Sequence, residues 1–373
     1  MLRFEAPPIR IIGTDFALHG EIDAYTSLIL RSGYDTPGSF EVTLAPDGRG
    51  SSELTPGRYI LADGFCGLIE RLRFETTTDG EKLTASGAEA GGMLRYRICI
   101  PPKGQSHDAV SGTPGQRMAA LVTHQAINPA QSARKLDIEL GKICEDGETA
   151  TSSFRYDVLS DALCKMAAGA GLGWRIEPDT DALKWRFEVY RGRDLSVNQP
   201  NDSAGAPMIF SPQFDNVAAA SYEWSIADTY NCAFVAGQGE GTERSIAVVY
   251  SERAASGEPP KGAALREFFV DARDVSDASK LPARGMDKLR ECAKVQSLDG
   301  TAAQTAIAGY GTRWRLGDIV TVRHDDWAAQ MDARITEVTK SYSTGEVRLD
   351  VTLGSAPVTL TGKIKRMMSE VIQ

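Results

Sequence analysis

Apolar and polar residues alternate with the period of a β-strand through much of the first ~90 positions. In Ser39 to Leu44, Phe40, Val42 and Leu44 alternate with Glu41 and Thr43, and Pro37-Gly38 and Pro46-Asp47-Gly48 punctuate the ends. A second strand is predicted over Arg58 to Ala62, after the turn at Thr55-Pro56-Gly57. A third covers Phe65 to Glu75, with Leu68, Leu72 and Phe74 on one face and Arg71, Arg73 and Glu75 on the other. Thr76 to Gly80 turns the chain into Lys82 to Gly87. Short strands at this spacing predict a small antiparallel barrel or sandwich.

The pattern then changes. Residues 100–115 are rich in Pro, Gly and Ser and read as a crossing loop. Thr113 can cap a helix with Pro114 at its first position, and Met118, Leu121 and Val122 form a helical stripe behind it. Arg134 to Thr151 is polar and poorly patterned. A second helix is predicted from about Asp157 to Ala168, with Leu159, Leu163 and Met166 on one face and Gly169 and Gly171 at its end. Two strands follow, Trp174 to Glu177 and Lys184 to Arg191. In the second, Trp185, Phe187 and Val189 alternate with Lys184, Arg186 and Glu188.

Asn198 to Pro212 reads as a linker. Strands return at Asn216 to Trp224, Asn231 to Ala236 and Ser245 to Tyr250, with a loop over Ser251 to Gly262 and a helix near Pro282 to Ala293. Asp318 to Arg323, Ala333 to Lys340 and Glu346 to Leu353 close the series, the last with Val347, Leu349, Val351 and Leu353 on one side. Gly362 to Ile372 is a short basic tail with helical character. The fold class expected is mainly β with an α+β insertion. Its parts are a first β-rich domain over 1–90, a mixed α/β module over 91–200, a linker over 201–213, a second β-rich domain with an inserted helix over 214–360, and a tail over 361–373.

The 373 residues suffice for two or three domains with real cores. A formal net charge of -9 gives no global field to hold nucleic acid or an anionic membrane. Cys66, Cys99, Cys144, Cys164, Cys232 and Cys292 are scattered and form no C-x-x-C pair, as expected of buried reduced thiols. No basic segment followed by an apolar run opens the chain, so no signal peptide is expected. No apolar stretch approaches the ~20 residues of a membrane span.

Candidate chemistry is sparse. A phosphate-cradling glycine loop needs a strand before it and a helix after it. Gly169 to Gly173 has the reverse order and reads as a helix C-cap; Gly237 to Gly241 lies between strands and reads as a hairpin turn. There is no G-x-S-x-G elbow. His19, His107, His124 and His324 fall in no zinc spacing. His324-Asp325-Asp326 is the one local cluster able to bind a divalent ion, and Asp-rich turns are ordinary at a strand end. His107-Asp108 takes the same discount. Glu145, Asp146 and Glu148 read as a solvated turn. Trp185 and Trp314 could stack on sugars or bases, but on alternating strands they read as core. No catalytic, cofactor-binding or metal-binding residue is therefore assigned, no cofactor is expected, and the chain is read as not an enzyme. Paired carboxylates distant in sequence keep one alternative open, a carboxylate-based cell-wall-degrading tail enzyme.

Several segments carry a family resemblance. Tyr310 to Val322 holds an aromatic, then Leu316-Gly317-Asp318, then an apolar strand. Ile335-Thr336-Glu337-Val338 and Val351-Thr352-Leu353-Gly354 follow. Phe40 to Leu44, Leu54 to Ile60 and Gly67 to Glu70 come earlier, as does Trp185 to Asp194, which runs on as Leu195-Ser196. In this order they resemble the baseplate hub, or tail-associated, proteins of long-tailed phages, in the form of siphophage hub-like tail proteins. The resemblance implies two tube-type β-barrel domains flanking a mixed module. It also implies a homotrimer whose six similar units dock a threefold tip on a sixfold tail tube. Implied partners are other copies of the chain, the tail tube or distal tail protein ring, and other tail-tip or spike proteins. DNA would pass without specific binding, and no membrane insertion is implied. The implied location is the virion tail tip, after synthesis in the bacterial cytoplasm. Some relatives continue into a lytic domain; none is expected here, because the chain ends soon after Gly354.

Overall fold

The computed structural model describes residues 6–78, 80–199, 205–227, 229–251, 257–273, 275, 277–291, 295–302, 309–327 and 329–354. They fall into two compact units. One comprises residues up to Ser221 together with Leu298–Leu353; the other is built on Tyr222–Ser297. The chain is mainly β with a few helices.

The first unit opens with seven strands: β1 (Ile9–Ile12), β2 (Leu18–Ile22), β3 (Ser27–Gly33), β4 (Ser39–Leu44), β5 (Tyr59–Ala62), β6 (Phe65–Thr77) and β7 (Gly80–Glu89). They pair antiparallel in the order β2-β1-β5-β6-β7-β4-β3. Alternation places Ile9, Ile11, Leu28, Leu30, Phe40, Val42, Ile60 and Ala85 in one core. Phe74, expected on the inner face, is 66% exposed. The register with β7 shifts between Ile69 and Arg71, which leaves Glu70 as an extra residue. The bulge puts Ile69 on the face of Leu72, Ala85 and Leu83, where it is buried, and leaves Leu68 on the other face, packed against the core shared with the module. Phe74 lies opposite Leu83 and is exposed toward the strand's end.

A mixed module follows. Its elements are β8 (Asp108–Gly112), α1 (Pro114–Val122), β9 (Ile138–Ile143), β10 (Ala150–Phe154), α2 (Leu159–Ala170), β11 (Gly173–Asp179) and β12 (Lys184–Tyr190). Thr113 caps α1 in a capping box with Gln116, and Pro114 takes the first helical position, as predicted. Gly171, in the left-handed region, ends α2 and donates to Ala167 and Ala168 carbonyls. The stretch read as a crossing loop contains β8, and the poorly patterned stretch contains β9 and the start of β10. β8 pairs with β10, and β9 runs parallel to β12. These strands are short and half exposed, so alternation is weak in them. The module and the first sheet share a core in which Tyr59, Cys66 and Ile12 meet Trp174, Trp185, Phe187 and Leu163. Trp185 is packed between Tyr59, at 4.6 Å, and Phe16, at 5.0 Å, and is core as expected.

Two short strands, β13 (Asp194–Leu195) and β14 (Ile209–Phe210), precede β15 (Val217–Ser225). The second unit then forms. β16 (Cys232–Ala236) lies between β17 (Ile246–Tyr250), antiparallel, and β18 (Glu267–Asp271), parallel. α3 (Leu281–Glu291) covers one face of this sheet, burying Leu281 and Leu289 against Ala233, Val235, Val249 and Val270.

After β19 (Val295–Ala302) come β20 (Ile319–His324), β21 (Ala329–Ser343) and β22 (Glu346–Gly354). β20 pairs antiparallel with β21 and parallel with both β13 and β14, so part of the stretch read as a linker is in the sheet. β21 has two partners along its C-terminal half. β22 lies on one side, and β3 pairs with Glu337–Ser343 on the other. Strands from opposite ends of the chain therefore belong to one continuous sheet. The tail over 361–373 and Cys292 lie outside the described residues.

Candidate functional site

The residues singled out for chemistry are drawn into local packing. The His324 ring stacks on Trp327 at 3.7 Å, and Asp325 accepts from Arg323 Nε at 2.6 Å. Asp108 is fully buried at the start of β8. Its partners are Gln125 Nε2 at 2.7 Å and His124 Nδ1 at 2.9 Å; neighbouring His107 contacts Ser106 instead. The Asp108–His124 pair was not legible in sequence, because its members lie 16 positions apart in different elements. Asp146 pairs with Arg191 on the surface. Gly237 to Gly241 connects β16 to antiparallel β17, which fits the hairpin reading. Among the described residues no group of three or more His, Cys, Asp or Glu is placed to hold a metal ion. Cys66, Cys99, Cys144, Cys164 and Cys232 are free thiols. Burial pushes the Cys99 and Cys164 thiols up to about 12, so both stay protonated at neutral pH.

Several elements of the first unit converge at Tyr34, the residue after β3. Its backbone N–H donates to the Thr336 carbonyl of β21 at 2.9 Å, and its own carbonyl accepts from Trp174 N–H at 3.1 Å. Trp174 Nε1 donates to the Asp35 carbonyl at 2.8 Å. The Tyr34 hydroxyl sits between the carbonyls of Gly171, at 3.2 Å, and Tyr190, at 3.3 Å, and accepts from Gly192 N–H at 3.1 Å. The Arg334 guanidinium of β21 lies over the ring at 5.0 Å and donates to the Gly317 carbonyl at 2.6 Å. The Tyr190 ring meets it edge-on at 5.4 Å. One side chain, 1% exposed, thus touches the first sheet, the module and the last strands. Burial raises the Tyr34 hydroxyl pKa, opposed by Arg334 and by the Gly192 N–H, so the phenol stays neutral.

The Leu316-Gly317-Asp318 motif packs against this ring. Gly317 has φ +90°, and a Cβ there would lie 2.3 Å from Tyr34 Cε2. A Cβ on Gly192 would lie 1.8 Å from the Gly317 carbonyl oxygen. Both positions therefore require glycine. Asp318 is fully buried and accepts from Arg193 N–H at 2.9 Å, Arg193 Nη2 at 2.6 Å and Arg315 N–H at 3.0 Å. Ile319 N–H donates to the Arg193 carbonyl at 2.8 Å, where β13 and β20 begin their pairing. The segments Tyr190 to Asp194 and Leu316 to Asp318, quoted separately from the sequence, are thus two halves of one junction. Sequence reasoning missed Tyr34 and Arg334, which belong to no motif. The polar groups at the junction are spent on one another, so the site fixes the register of three segments.

The Siphovirus ReqiPepy6 Gp37-like protein family matches residues 8–355. Three solved structures share the fold over nearly their whole length. The 43 kDa tail protein of prophage MuSo2 from Shewanella oneidensis is 12% identical; the match covers 93% of this chain and 98% of that one, with a TM-score of 0.60. The tail protein from Neisseria meningitidis MC58 is 16% identical over 94% and 97% of the two chains, with a TM-score of 0.57. Prophage tail protein gp18 from Listeria monocytogenes is 11% identical over 98% and 99%, with a TM-score of 0.51. At such identities the likeness is one of fold. No curated protein sequence matches the chain.

Two outcomes are expected. Arg193→Met leaves the Asp318 carboxylate buried without its guanidinium. It should cost about 3–5 kcal/mol, measured by urea unfolding, and Asp318→Asn in the same background should recover part of the loss. The second concerns Glu89, whose carboxylate accepts from Gly38 N–H at 2.7 Å and whose pKa burial raises to about 7 from 4.5. The folded state then holds this proton more tightly than the unfolded chain. The Glu89 contribution to stability should fall as pH rises from about 4.5 to about 7 and stay flat above. Unfolding curves of the protein and of Glu89→Gln, compared across that range, should differ by this slope.

Proposed function

The chain belongs to the siphovirus ReqiPepy6 Gp37-like family of tail proteins, and on that premise we propose that it is a structural tail-tip, or baseplate hub, protein. In this reading three copies form a ring that closes the tail tube or adapts it to the tip. Each copy supplies two tube-type β-barrel domains, over 1–90 and 214–360, with the module over 91–200 braced between them. Three chains then present six similar β-units, which lets a threefold tip meet a sixfold tube. The ring would contact the tail tube or distal tail protein on one side and spike or other tip proteins on the other, in the virion. DNA would pass through it unbound, and the role is mechanical, without catalysis or cofactor.

The observation that carries this reading is the antiparallel pairing of β3 with β21 over Ser27–Gly33 and Glu337–Ser343. It joins strands from both ends of the chain edge to edge, which would let the segments over 1–90 and 214–360 contribute to one continuous wall. The net charge of -9 accords with a conduit that does not retain DNA.

Light scattering of the purified protein should give three times the chain mass of 40.3 kDa. A monomer that persists at high concentration would contradict the ring, and turnover of purified cell wall by the protein would contradict the mechanical role.

A further inference from the structure

Two stretches of the mixed module run side by side at its surface. Ile98 bridges Val158 antiparallel, Tyr156 N–H donates to the Cys99 carbonyl at 2.7 Å, and Leu159 N–H donates to the Arg97 carbonyl at 2.8 Å. Along this pair Tyr96 is 59% exposed, Ile98 43% and Tyr156 58%. Four guanidiniums stand around them. Arg95 lies over the Tyr96 ring at 5.0 Å and Arg155 over the Tyr156 ring at 5.5 Å. Arg97 donates from Nε to the Arg134 carbonyl at 2.9 Å and from Nη1 to the Tyr96 carbonyl at 3.1 Å. Arg134 donates from Nη1 to Gln125 Oε1 at 3.2 Å and from Nη2 to the Ile98 carbonyl at 2.5 Å. All of these acceptors are neutral. Of the carboxylates here, Glu70 is taken up by Arg95 and the Tyr96 hydroxyl, Asp157 accepts from the Arg155 N–H, and Asp108 is buried behind Gln125. Arg97, Arg134 and Arg155 therefore make no ion pair among the described residues. Burial, and after it the nearby Arg97 charge, lower the Arg134 pKa.

Tyr156 holds a backbone conformation, φ +62°, that a bulky residue seldom adopts. Glycine would sit there without strain, yet the position carries an exposed ring. Strain kept for a side chain that faces water points to a use for that side chain. Tyrosine and arginine are also the residues most enriched at the energetic centres of protein interfaces. The charge narrows the partner. Arg97 and Arg134 are oriented by carbonyl and amide oxygens before anything binds, so a pair of carboxylates could meet them at little ordering cost. Duplex nucleic acid fits less well. A chain of net charge -9 repels a long polyanion, whereas a short acidic segment meets only the local charge. We propose that the surface formed by Arg97, Ile98, Arg134 and Tyr156, with Tyr96 at its edge, binds an acidic segment of a partner protein. Carboxylates of that segment pair with Arg97 and Arg134, and an apolar or aromatic side chain between them packs on Ile98 and the Tyr156 ring. This goes beyond the tail-tip reading and does not rest on it.

The test pans a displayed random-peptide library on the full chain, with counter-selection on the double variant Arg97→Glu, Arg134→Glu. Enriched peptides should carry a pair of Asp or Glu residues beside an aromatic or aliphatic one. A labelled synthetic copy of the most enriched peptide, followed by fluorescence anisotropy, should bind the double variant about tenfold more weakly and should lose affinity as salt rises. Tyr156→Gly separates binding from folding. It relieves the left-handed backbone but frees the unfolded chain, so the unfolding midpoint should change little, while peptide affinity falls severalfold. Enriched peptides that lack acidic residues, or binding that both variants leave unchanged, would overturn the proposal. So would duplex DNA binding that the double variant abolishes, which would make this a nucleic-acid surface. A change in the number of copies per particle in the double variant, read by light scattering, would overturn it as well, because the surface would then join copies of this chain.

Discussion

The first unit depends on one buried phenol. Tyr34 fills the gap where β3 ends, where α2 gives way to β11, and where the chain turns from β12 toward β13 and from Gly317 into β20. Its hydroxyl is flanked by two carbonyls and accepts an N–H, so losing it would leave buried backbone groups without partners, at about 1–3 kcal/mol each. The ring matters as much as the hydroxyl. Two glycines from different segments, Gly173 and Gly317, approach it closely enough that no Cβ would fit. Shape and hydrogen bonding therefore specify the same packing.

The sheet continues from that point. Gly317, Asp318 and Arg334 hold the entry to β20 and β21, and β21 pairs with β3 beyond it. The buried Asp318–Arg193 pair fixes the same point from the module side. A buried ion pair adds little net stability compared with apolar packing, but it penalises misregistered alternatives. That is a useful property in a protein whose task, on the reading advanced above, is to present a defined edge to a ring of neighbours.

Much of this architecture was legible in the sequence where one residue's environment repeats along an element. The alternation of Phe40 to Leu44 and Leu349 to Leu353, the Thr113-Pro114 cap and the Gly171 C-cap all belong to that class. Local irregularity and distant pairing were not legible. A single extra residue at Glu70 put Leu68 on the opposite face from Leu72 and Phe74 and brought Ile69 into the core. β13 and β14, two residues each, carry no periodicity and exist because β20 pairs with both. At the junction, Leu316-Gly317-Asp318 and Tyr190 to Asp194 stood out as motifs. The reason for them did not, because Tyr34 lies more than 150 positions from Gly192 and 300 from Arg334.

The most direct test of the account is hydrogen exchange on the full chain carrying Tyr34→Ala. If Tyr34 ties three segments together, amides of β3, of the module around β11 and β12, and of β20 and β21 should lose protection together, while those of β16 to β18 keep theirs. Loss confined to the residues next to Tyr34, with β20 and β21 unaffected, would contradict it.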